Sequence, residues 1–69
     1  MSKFHTGDVV RVLSSKYDDL PEIAGMIGNS CKVRGIDEDG SVEVWENESC
    51  ADFWFFSDDE LELIHRSAK

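Results

Sequence analysis

Four side chains in this 69-residue sequence could ligate a soft metal: His5, Cys31, Cys50 and His65. Zinc sites usually draw two ligands from one short element, because closely spaced donors are held in place before the ion arrives. Here all four stand singly, so no metal is expected. Asp37-Glu38-Asp39-Gly40 opens like a calcium loop but lacks the later ligands and the distal glutamate. A tight turn accounts for it. For hydrolysis there is no G-x-S-x-G, and a Cys–His dyad would have to be assembled across the fold. Asp58, Asp59 and Glu60 could do acid–base work only in a pocket that shifts their pKa values, and a monomer this small encloses a deep pocket poorly. Neither catalysis nor a cofactor is expected. An enzyme built at the centre of an oligomer is the one catalytic alternative.

The aromatic residues carry a stronger signal. Phe53-Trp54-Phe55-Phe56 runs directly into Ser57-Asp58-Asp59-Glu60. In a strand, Phe53 and Phe55 face one way while Trp54 and Phe56 face the other. One small core cannot hold both faces. Upstream, Val42 and Val44 share a face, which leaves Trp45 beside Glu43 on the opposite one. The expected partner-binding set is Tyr17, Trp45, Trp54 and Phe56, rimmed by Asp37, Glu43, Glu46, Asp58 and Asp59. Aromatic centres with charged rims are the common anatomy of binding hot spots. The competing expectation is that Leu20, Pro21 and Ile23 of the first loop cover these rings.

Short strands must position such a surface. Val9-Val10-Arg11-Val12-Leu13 is rich in β-branched residues and predicts a strand over residues 8–13. A long polar loop follows, broken by Pro21, with a helical turn allowed at residues 21–24. A second strand is predicted over 30–36. Asp39-Gly40 then supplies the positive φ angles of a hairpin. The third strand is predicted over 41–45 and the fourth over 52–56. Ser57-x-x-Glu60 is a capping-box pattern that permits one helical turn. A fifth strand is expected over 61–64. Small sheets of this kind close into barrels to remove their edges. The fold class expected is all-β, a five-stranded SH3-like small barrel with a long first loop and one short helical turn before the last strand. Its interior is expected from Val10, Val12, Ile27, Val33, Val42, Val44, Leu61 and Leu63, with one face of the aromatic run. Residues 1–69 make one domain, with residues 1–6 a flexible leader and 65–69 a frayed tail.

Charge narrows the partner. The chain carries −8 overall. Residues 1–35 hold five basic and four acidic side chains, whereas residues 36–69 hold two basic and eleven acidic ones. Phosphate-backbone binding needs a basic stripe, so nucleic acid is disfavoured and a basic protein partner favoured. No apolar run is long enough to cross a bilayer, and no apolar signal segment opens the sequence. Cytoplasmic residence with two free thiols is expected, so the Asn47-Glu48-Ser49 sequon implies no glycan.

Several stretches are similar to known small barrels. Gly7-Asp8-Val9-Val10-Arg11-Val12, then Gly25-Met26-Ile27-Gly28, then residues 33–39, resemble the opening of many SH3-like domains, including KOW-type domains of ribosomal and transcription proteins. Phe56-Ser57-Asp58-Asp59-Glu60-Leu61 resembles the ending of the photosystem I reaction-centre subunit IV family and of the ferredoxin–thioredoxin reductase variable chain. The photosystem resemblance implies docking of ferredoxin; the KOW resemblance implies contact with RNA or RNA polymerase. Jointly they imply a non-catalytic accessory module that binds a larger protein. The expected function is therefore a small interaction module or accessory subunit, or a phage or mobile-element modulator of a host factor. The KOW-like alternative would use Lys3, Arg11, Lys16, Lys32 and Arg34. Oligomeric state and partner identity carry no signal in the sequence.

Overall fold

The computed structural model describes residues 3–67. Five antiparallel strands form one sheet in the order β4-β3-β2-β1-β5: β1 (Val9–Val12), β2 (Ser30–Ile36), β3 (Val42–Trp45), β4 (Phe53–Phe56) and β5 (Leu61–His65). The all-β class, the long first loop and the single 3-10 turn (Asp58–Glu60) before β5 are as expected. No β4–β5 ladder closes the sheet among the described residues, so it stays open. Its inward side chains nevertheless meet in one cluster: Val10 and Val12 from β1, Val33 from β2, Val42 and Val44 from β3, Phe56 from β4 and Leu61 from β5.

The connections follow from local chemistry. Pro21 opens a single helical turn, α1 (Pro21–Ala24), where its missing N–H costs nothing. That turn carries Ile23 into the core, and Met26 follows it. The β2–β3 hairpin closes with Asp37 N–H on Ser41 O and Gly40 N–H on Asp37 O. Of the two central residues expected to take positive φ, only Gly40 does, at +91°. The turn is thus a three-residue loop with glycine at its left-handed position. Ser57 donates both its N–H and its hydroxyl to Glu60 Oε1, each at 3.0 Å. The other oxygen of Glu60 accepts from Lys16 N–H at 3.1 Å, so one glutamate ties the long loop to the 3-10 turn.

Three expectations change. The expected leader is anchored at Phe4, 2% exposed in the core, while Lys3, His5 and Thr6 around it are exposed. His65 belongs to β5, while Arg66 and Ser67 are fastened to Asp8. Residues 1, 2, 68 and 69 of the expected leader and tail lie outside the described residues. Ile27 is half-buried and Leu63 is exposed, their places in the interior being taken by Phe4, Ile23 and Met26.

Candidate functional site

Register decides which aromatics face outward. Across the β3–β4 pair, Val42 lies opposite Phe56 and Val44 opposite Trp54, while Glu43 faces Phe55 and Trp45 faces Phe53. Cross-strand partners share a face. Val42 and Val44 are buried, so Phe56 and Trp54 point inward. Phe56 is 2% exposed, which removes it from the expected binding set. Trp54 packs against the core, and its indole N–H donates to Glu46 Oε1 at 2.9 Å. Trp54 and Glu46 therefore satisfy each other at the core margin and do not form part of an outer patch.

The outer face carries Trp45, Phe53 and Phe55 in edge-to-face contact. Ring centroids lie 6.1 Å apart for Trp45 and Phe53, and 5.7 Å for Phe53 and Phe55. Such pairs favour this geometry because a ring's positive edge meets its neighbour's negative face. Phe55 remains 48% exposed. Of the first-loop residues expected to cover these rings, Ile23 turns into the core, and Leu20 and Pro21 are themselves exposed.

A bulge adds a cation. Val33 pairs with Val44, but Gly35 pairs with Glu43 and Ile36 with Val42, so Arg34 is an extra residue in β2. Gly35 has no side chain to obstruct the face, and even a Cβ there would lie 3.3 Å from Glu43 Oε1. The Arg34 guanidinium lies 4.1 Å from the Phe53 centroid and 5.4 Å from that of Trp45. It also forms an ion pair with Glu43. Asp37 stands next to this pair. Its hydrogen bond to Glu43 holds the Asp37 carboxyl above its ordinary value. The same bond, together with Arg34, holds Glu43 below its own. Glu43 thus stands between the Arg34 guanidinium and a second carboxyl group, beside two rings.

The remaining predicted residues lie elsewhere. Tyr17 sits in the long loop beneath the Lys16 ammonium, 5.3 Å from its ring centroid, and no ring contact joins it to Trp45 among the described residues. Asp58 accepts from Lys3 N–H at 3.2 Å, and exposed Asp59 follows it on the 3-10 turn. The nine expected residues therefore divide between an outer β3 group (Trp45, Glu43, Asp37), an inward group (Trp54, Phe56, Glu46) and a loop group (Tyr17, Asp58, Asp59). Phe53, Phe55 and Arg34 complete the outer face, and the expected binding set omitted all three. Of the basic residues in the KOW-like alternative, Arg11 is paired with Glu62 at 3.0 Å and Arg34 with Glu43.

Beside Trp45 lies a cleft of about 430 Å³, lined by Val9, Ser30, Lys32 and both cysteines among others. Both thiols are free. Cys50 is exposed on the β3–β4 loop with φ of +56°, while burial pushes the Cys31 thiol up. Cys50 should therefore react first with iodoacetamide at neutral pH, with Cys31 slower by about tenfold or more. Timed alkylation read by peptide mass spectrometry checks this, and equal rates would contradict it.

Among the described residues, no group of three or more His, Cys, Asp or Glu side chains is arranged to hold a metal, and no helix is long and apolar enough to cross a membrane. Comparison with protein-family models, curated proteins and solved structures returned no match.

Proposed function

We propose that this chain is a small non-catalytic docking module, an SH3-like barrel type of sheet that binds a basic protein segment on the outer face of β3 and β4. One observation carries the reading: Trp45, Phe53 and Phe55 pack side by side on the outer face, with the Glu43 carboxylate opposite Phe55 across the β3–β4 pair. Rigid aromatic area at low entropy cost, bordered by charge, supplies both affinity and register. The −8 net charge steers a basic partner toward the domain. The two free thiols suit a cytoplasmic setting.

The test is titration with a short peptide of alternating arginine and threonine at low ionic strength. Trp45→Ala should weaken binding about thirtyfold, as removal of a hot-spot ring does. Thermal unfolding should stay near that of the unmodified protein, because Trp45 lies outside the buried cluster. Unchanged affinity in a folded Trp45→Ala protein would remove the outer face as the docking surface.

A further inference from the structure

We propose that the outer face is a guanidinium-binding site which Arg34 of the same chain occupies, and that the docking segment delivers an arginine in its place. This rests on the docking reading above and names the chemistry of the partner.

The site is built for a planar cation. The Arg34 guanidinium has Phe53 at 4.1 Å, Trp45 at 5.4 Å and the Glu43 carboxylate as counter-ion. Rings supply the negative face that attracts a cation, and a carboxylate accepts the guanidinium N–H groups. The occupant is the more exposed member of the site. Arg34 is a bulge residue on a flexible stem, and its side chain is 40% exposed against 12% for Glu43. The permanent parts of the site are therefore less accessible than the group that fills it.

Charge is also incomplete. Among the described residues Glu43 is the one carboxylate paired with Arg34, and the surrounding half of the chain, residues 36–69, carries eleven acidic side chains against two basic ones. A second cation is favoured here, and arginine suits the flat, ring-lined space better than a compact ammonium does. A self-occupied site binds an outside ligand weakly, in proportion to the fraction of time it stands open. Arg34 thus sets the affinity of the face by competing for it.

The experiment titrates a peptide with one central arginine flanked by valine and threonine, alongside its citrulline counterpart, which is neutral and nearly isosteric. Arg34→Ala should bind the arginine peptide about tenfold more tightly than the unmodified protein, with no such gain for citrulline. Adding Glu43→Gln to that variant should abolish the gain. A second readout needs no substitution: the Arg34 side-chain methylene protons, shifted by the Phe53 ring current, should return toward ordinary values as peptide is added. If the unmodified protein binds and Trp45→Ala does not, yet Arg34→Ala binds equally or more weakly, self-occupancy is overturned while the docking face stands. Equal gains for citrulline would overturn the guanidinium assignment. No binding by any form would overturn both.

Discussion

Asp8→Ala is expected to cost about 3 kcal/mol of stability, because it strips the acceptor from two backbone donors at once. Asp8 is fully buried, and its carboxylate accepts from His5 N–H at 2.8 Å and Ser67 N–H at 2.7 Å. Arg66 adds a third contact at 3.0 Å and reaches on to the Lys3 carbonyl. This one side chain therefore fastens the segment before β1 to the segment after β5. Gly7 leaves room for the tail, since a Cβ there would meet Ser67 Oγ at 3.0 Å. The Arg66 contribution is the smaller part, because its half-exposed charge is screened by water. A chain of this length has about 4–10 kcal/mol in total, so the loss should shift the urea midpoint far to the left. A midpoint equal to that of the unmodified protein would show that the clamp contributes nothing.

The same carboxyl should give an acid signature. Burial pushes its pKa up, but hydrogen bonds from Ser67 and His5 and the Arg66 charge outweigh burial and hold it below its ordinary 3.8. Being depressed on folding, it contributes stability that is complete above the unfolded value. That contribution is lost as pH falls from roughly 5 through 3.8 toward the lower native value. Asp8→Asn should flatten this part of the stability-versus-pH curve.

The second large effect separates two adjacent phenylalanines. Phe56→Ala should destabilise the domain by about 3–5 kcal/mol, since a fully packed ring is replaced by a cavity beside Val42. Phe55→Ala, one residue earlier, should leave stability nearly unchanged while weakening the binding of an arginine–threonine peptide. Its ring is half exposed and meets only Phe53 among the rings of the described residues. Denaturation and peptide titration of both variants form a two-by-two comparison. Equal stability costs would mean that β4 does not divide its faces as described.

That division was only half legible beforehand. Four aromatics in a row carry no polar residue to mark the solvent side, so alternation predicts two faces without saying which is inward. The answer lies in the β3–β4 register, fixed by the loop between Glu46 and Asp52. A slip of one residue would have turned Trp54 and Phe56 outward, as the expected binding set had them. By contrast, Val42-Glu43-Val44 alternates and placed its own faces correctly. Phe4 and Met26 reach the core from irregular segments and Ile23 from a single helical turn, all too short for isolated apolar residues to show a period. Asp8 looked like the start of a strand; only the fold brings residues 66 and 67 to it. Arg34 was grouped with cations for nucleic acid, because a bulge that sets it over two rings leaves no trace in composition.

The docking face is tested most directly by residue-resolved shift mapping of the isotope-labelled protein with the arginine–threonine peptide at low ionic strength. The largest changes should fall on Gly35, Glu43, the Trp45 indole, Phe53 and Phe55, while Val10 and Val12 stay still. Changes concentrated instead on Tyr17, Asp58 and Asp59 would contradict the account, as would none at all.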